Sequence, residues 1–121
     1  MTGAGVRLGH VVLPVQDVSA GIRFLEEALG LALRFRDGDR YAAFEDAGGT
    51  LALAGPEEQV LAGAVAVGVK VQDLEAAAAR VRAHGGRVLG DPVETDHDRR
   101  LAFADPDGNV FVLTQARPAG R

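Results

Sequence analysis

The chain has 121 residues, 47% of them hydrophobic and 25% charged, with 17 acidic against 13 basic side chains and no cysteine. This length suits one domain that buries a core without staples, and the lack of thiols excludes both a disulfide framework and a thiolate metal site. A net charge of −4 argues against a nucleic-acid partner, and no apolar run suits a membrane span or a signal peptide, so the expected location is the cytoplasm.

The apolar run from His10 to Val15, rich in Val, predicts a first strand. Asp17 is placed to cap a helix whose apolar residues Val18, Ile22, Leu25 and Leu29 fall on one face. Gly30 ends it. Leu31 to Arg36, Tyr41 to Glu45 and Thr50 to Ala54 follow as strands, separated by turn signals at Asp37-Gly38-Asp39 and Gly48-Gly49. Gly55 to Ala62 links this βαβββ unit to a second. There, a strand over Val65 to Val71 precedes Asp73, the cap of an Ala-rich helix from Leu74 to Ala83, with Gly85-Gly86 at its end. Strands near Arg87 to Leu89, Arg100 to Ala104 and Asn109 to Thr114 complete it. The tail from Ala116 to Arg121 is expected to fray.

The two units are copies. LGHVVLPVQD, ending at Asp17, returns 56 positions later as AVAVGVKVQD, ending at Asp73. AAFEDAGGTLAL (Ala42 to Leu53) returns as LAFADPDGNVFV (Leu101 to Val112) at an offset of 59. Duplicated units of this kind fold most economically as pseudo-symmetric halves around a shared cleft. The reading is a single domain, residues 1–121, with module one over about 8–54, a linker over 55–63 and module two over about 64–115.

On these motifs, together with DPDGN before the last strand, the chain resembles the vicinal oxygen chelate superfamily over about residues 8 to 115. That group includes glyoxalase I, extradiol dioxygenases, epimerases and bleomycin-resistance proteins. The resemblance implies an α+β fold of two tandem βαβββ modules, forming a curved mixed sheet around a cleft, and a homodimer. It also implies, for the enzymes, a divalent metal held by one residue from the first and last strand of each module. Those positions here are His10, Ala66, Val112 and Leu53, or Ala52 if the register slips by one. Only His10 is a donor, so the chain reads as a metal-free member without a cofactor.

Strand alternation then places Val12, Pro14, Leu51, Gly68, Val110 and Thr114 on the face of His10, Leu53, Ala66 and Val112, with Lys70 at the end. Such a face suits a hydrophobic or aromatic small molecule, although side chains alone are able to fill it. His10 is the candidate acid, base or hydrogen-bonding group; the alternative is a strand histidine with a backbone partner. Tyr41 is the candidate for stacking on an aromatic ligand. Phe44 and Phe103, at equivalent repeat positions, read as core. His84 reads as a cation at a helix C-terminus, and His97 as part of a charged loop that is either solvated or in contact with ligand.

Three functions follow as expectations. The first is a binder of the bleomycin-resistance type, sequestering a drug or metabolite. The second is a metal-independent lyase, isomerase or cyclase using His10. The third is a metal enzyme whose ligands lie elsewhere in the chain.

Overall fold

The protein is described by a computed structural model over residues 5–59 and 61–117. Its α+β elements run β1 (Val6–Pro14), α1 (Val18–Leu29), β2 (Leu33–Asp37), β3 (Tyr41–Asp46) and β4 (Gly49–Ala54), then β5 (Ala66–Val71), α2 (Leu74–Ala83), β6 (Arg87–Glu94), β7 (Asp98–Ala104) and β8 (Val110–Ala116). The βαβββ succession therefore occurs twice. A single 3₁₀ turn, Pro56–Glu58, lies in the expected linker. The part of the tail at residues 118–121 is outside the described residues.

Two compact units are present: His10–Ala66, and the described residues before His10 together with those from Val67 onward. In the first unit the strands lie in the order β2-β3-β4-β1. β1 pairs with β4 in parallel, Val11 opposite Leu51 and Leu13 opposite Leu53, while β3 pairs antiparallel with both β2 and β4. The helix forms where its caps put it. Asp17 accepts from the backbone N–H of Ala20 at 3.0 Å, satisfying a donor that the first turn leaves open. Gly30 closes the other end at φ 72°, its N–H bonded to the Glu26 carbonyl at 2.9 Å; only glycine takes that conformation without strain. The apolar stripe of α1 buries Val18 and Ile22 against Ala42, Phe44 and Leu53.

The second unit orders its strands β5-β8-β7-β6, with the start of β1 beside β5. Asp73 caps α2 as Asp17 caps α1, accepting from Ala76 N–H at 3.0 Å. The side chain of Gln115 on β8 accepts from Leu74 N–H at 2.7 Å, so the helix start is tied to the last strand. Ala77 and Ala78 pack with Val71, Leu74, Leu101 and Leu113; their small side chains bring helix and strands close. Gly86 shows how close, since a Cβ there would lie 3.1 Å from the Val81 carbonyl oxygen and 3.2 Å from that of Ala104. His84 is the C-terminal cap of α2, its ring Nδ1 2.9 Å from the Arg80 carbonyl oxygen. β6 is longer than the sequence indicated and carries an irregularity between Leu89 and Val93.

The faces expected for Leu51 and Leu53 are not the ones they occupy. Leu51 and Leu53 do not share a face with Val12 and Ala52. Leu53 is 1% exposed and packs under α1, and Leu51, two residues away on the same strand, points to the same side. The cause is the length of a turn. Phe44 pairs with Leu51, a span of 51 − 44 = 7 residues, whereas Phe103 pairs with Phe111, a span of 111 − 103 = 8 residues. The offset of 59 that relates the copies before the hairpin becomes 60 after it. Val112 thus corresponds to Ala52, and Leu53 to Leu113, which packs under α2.

The longer hairpin is closed by Asp105. Its carboxylate accepts from the backbone N–H groups of Asp107 and Asn109 and from the Asn109 side-chain amide, each at 2.9 Å. These bonds, those from Asn109 foremost, hold Asp105 below the ordinary aspartate value. A carboxylate depressed in the folded state stabilises the fold above its unfolded value, and that contribution is lost as pH falls through the folded value. Acid titration of stability should therefore show the wild type losing more than Asp105→Ala as pH drops below about 3.8; parallel curves would show that the turn does not depend on the charge. The register makes a second prediction. Leu53→Ala should cost about 2–5 kcal/mol in denaturant unfolding, as a large side chain removed from a packed core. A loss below about 1 kcal/mol, the scale of an ordinary surface substitution, would place Leu53 outside the core.

Candidate ligand-binding site

In the first unit, cross-strand pairing puts Tyr41 opposite Ala54 and Ala43 opposite Ala52, with Val12 and Pro14 of β1 paired to Ala52 and Ala54. This is the face turned away from α1. The Tyr41 hydroxyl lies 3.4 Å from Nε2 of His10, so β1 and β3 bring together the two polar residues singled out in this half. Both are half-buried. With the hydroxyl donating, Nε2 is the acceptor and the imidazole proton sits on Nδ1. Behind this pair the face is hydrocarbon and closed: Val12 is 6% exposed, and Ala52 and Ala54 are 0% exposed. Leu51 instead borders a small hollow of about 280 Å³ with Val11, Phe44, Glu45 and Thr50.

Among the predicted site residues of the second unit and the start of its central strand, Ala66, Gly68 and Val112 are buried, while Val110 and Thr114 are half-buried. Val112 pairs with Ala102 and Thr114 with Arg100 on the face away from α2. Phe103 and Phe111 stack face to face on the opposite side, centroids 4.9 Å apart. Phe44, the repeat counterpart of Phe103, is 3% exposed, in keeping with the core role read for both.

Thr114 opens onto a cavity of about 770 Å³ where the start of β1, the ends of β5 and β8 and the start of β7 meet. Val6, Val71 and Ala116 give it apolar wall; Arg7, Lys70, Gln72, His97 and Asp98 give it polar groups. Lys70 and Thr114, read from the sequence at the end of the His10 face, line this cavity together with Arg7 and Gln72, which the sequence did not single out because nothing in the pattern reveals that the first residues of β1 border the end of β5.

The loop beside the cavity is fixed by its own hydrogen bonds. The Thr95 hydroxyl accepts from the N–H groups of His97 at 3.1 Å and Asp98 at 3.0 Å, and lies 2.8 Å from the Asp98 carboxylate. That carboxylate also accepts from Arg100 Nε at 3.0 Å. Arg117 bonds the Thr95 carbonyl at 3.0 Å through its side chain and the His97 carbonyl at 3.0 Å through its N–H. Arg99 spans Glu75 on α2 at 2.7 Å and Glu94 at 2.8 Å. His97 is exposed at the mouth. Among the described residues, no three His, Cys, Asp or Glu side chains form a group able to hold a metal ion.

A family model, Glyoxalase/Bleomycin resistance protein/Dioxygenase superfamily, matches residues 7–113. An uncharacterized protein of Mycolicibacterium smegmatis is 40% identical over 103 residues, covering 85% of this chain and 88% of its own. Two solved structures share the fold. A glyoxalase/bleomycin resistance protein/dioxygenase superfamily member from Vibrio splendidus is 20% identical with a TM-score of 0.66, covering 93% of this chain and 99% of its own. Methylmalonyl-CoA epimerase from Mycobacterium tuberculosis is 23% identical with a TM-score of 0.63, covering 92% of this chain and 88% of its own.

The contact between His10 and Tyr41 predicts a spectroscopic result. Tyr41→Phe should keep the fold, at a cost of about 0.5–1.5 kcal/mol or less, and should move the ring nitrogen resonances of His10. An unchanged His10 spectrum would show that the two groups do not interact.

Proposed function

The chain belongs to the glyoxalase/bleomycin resistance protein/dioxygenase superfamily, and we propose that it is a small-molecule-binding member that holds its ligand without a divalent metal. The observation carrying this reading is the donor count. The positions matching the family's metal ligands are His10, Ala52, Ala66 and Val112, and three of these are hydrocarbon. A divalent ion needs about three protein ligands to be retained. The residues present do not fit the metal.

The ligand proposed is a small molecule with a hydrophobic or aromatic body and a few polar anchors. The cavity beside Thr114 supports it, having the volume and mixed lining of small-molecule sites. Sequestration of a drug or metabolite, as in bleomycin-resistance proteins, is the corresponding role. A homodimer is the proposed assembly, supported by Phe24 and Leu29 on α1, 65% and 66% exposed. Among the described residues no helix is long and apolar enough to cross a membrane, and we propose a cytoplasmic location.

A second reading, a metal-independent lyase or isomerase, is favoured by the half-buried His10 beside the Tyr41 hydroxyl, an arrangement suited to proton transfer. One set of measurements separates the two. Native mass spectrometry of protein from its own host should show dimer with a bound organic molecule and no stoichiometric divalent ion, and chelator treatment should leave affinity for that molecule unchanged. A stoichiometric ion required for binding would reject the proposal. If turnover is found, His10→Ala should abolish it while leaving affinity within roughly tenfold.

A further inference from the structure

Arg7 and Lys70 both line the cavity beside Thr114, and both are exposed. In a chain with more acids than bases, several arginines are paired with carboxylates: Arg34 with Glu45, Arg36 with Asp39, Arg40 with Glu58, Arg99 with Glu75 and Glu94, and Arg117 with Glu94. Among the described residues, no carboxylate is paired with Arg7 or Lys70. The one carboxylate in the cavity lining, Asp98, is already engaged by Arg100 and Thr95. Lys70 is also the chain's single lysine. A strong, compact cation thus shares a cavity with a guanidinium, a threonine hydroxyl and the Gln72 amide, next to the apolar side chains of Val6 and Val71.

We propose that this cavity takes an organic anion, its carboxylate or phosphate set between Arg7 and Lys70 and its apolar body against Val6, Val71 and Ala116. This rests on the reading of the chain as a small-molecule binder and supplies the ligand's charge. Arginine presents a planar fork that matches two oxygens of a carboxylate or phosphate, and lysine adds a point charge with three donors. Such bonds gain most where part of the surroundings is apolar and water is partly excluded. The acidic balance of the whole chain favours a cationic ligand, but the local charge inside this cavity is opposite in sign and governs what enters it.

The single lysine makes the test direct. Protein labelled with ¹³C only in lysine gives one side-chain signal set, that of Lys70, which is followed at low salt against phenylacetate, phenyl phosphate, inorganic phosphate and the uncharged phenylacetamide. Phenylacetate or phenyl phosphate should shift the Lys70 signal saturably and bind at least about tenfold more tightly than phenylacetamide. Preference for one of them identifies the head group, and inorganic phosphate alone should bind more weakly than phenyl phosphate. By calorimetry, Arg7→Gln with Lys70→Gln should lose at least about tenfold in affinity, and Lys70→Arg should retain most of it. Both positions are exposed, so equal melting temperatures verify folding. Anions that bind no better than the amide up to millimolar concentration, or an unchanged double variant, would overturn the assignment. Saturable phenylacetamide binding in that case would leave the small-molecule reading standing; absence of binding by every probe and by a broad neutral library would remove both.

Discussion

Everything that makes this fold readable depends on cross-strand pairing, because pairing decides which face each side chain occupies. A strand residue has two choices, and a shift of one residue reverses them all. In the first unit Leu13 and Leu53 are paired and lie under α1. In the second, Leu101 and Leu113 are paired and lie under α2. Alternation then sends Val12, Ala52, Ala102 and Val112 to the other side. The helices do not choose these faces. They are held at both ends, by Asp17 and Gly30 or by Asp73 and His84, and lay an apolar stripe on whatever the pairing presents.

The caps and the apolar periodicity are local signals, so the helices and most strands were legible in the sequence. Asp17 and Asp73 mark their helix starts because only a few side chains satisfy the open N–H groups there. The face assignment in the last strand of the first unit was not legible. An ungapped repeat carries no information on where an extra residue enters, and the DPDGN turn is one residue longer than its counterpart. The sequence does contain the clue, since Asp105 and Asn109 build a closed turn through three side-chain-directed bonds, whereas Asp46 forms a tighter one with the N–H of Gly48. The extension of β6 beyond Leu89 was hidden for a related reason. Gly90 and Pro92 are residue types that usually interrupt strands, yet the strand accommodates them through a register irregularity.

The cavity beside Thr114 was not legible as a cavity in the sequence. Lys70 and Thr114 follow from alternation within one strand each, but Arg7, Gln72 and Asp98 reach the same space through pairing between distant segments. The rigidity of the neighbouring loop arises in the same way. Arg117, at the end of the last strand, bonds the backbone of Thr95 and His97, and Arg99 joins the hairpin to α2 through Glu75. A loop that looks merely charged in the sequence is a braced one in three dimensions, which gives the cavity a defined wall without dedicating any apolar core to it.

Three of the positions that the proposed function sets against the family's metal ligands carry hydrocarbon, and their burial makes that choice self-consistent. Ala52 is 0%, Ala66 1% and Val112 3% exposed. At that depth a carboxylate or imidazole without an ion or hydrogen-bonding partner would leave a polar group unsatisfied, at a cost of about 1–3 kcal/mol and more if charged. Small apolar side chains carry no such cost and gain from burial. A buried donor at any one of these positions would therefore destabilise the fold unless it found an ion or another partner. His10 is the exception that fits the rule. It is only half-buried, and the Tyr41 hydroxyl stands 3.4 Å from its Nε2. An imidazole half-solvated and accompanied in this way needs no metal to be tolerated.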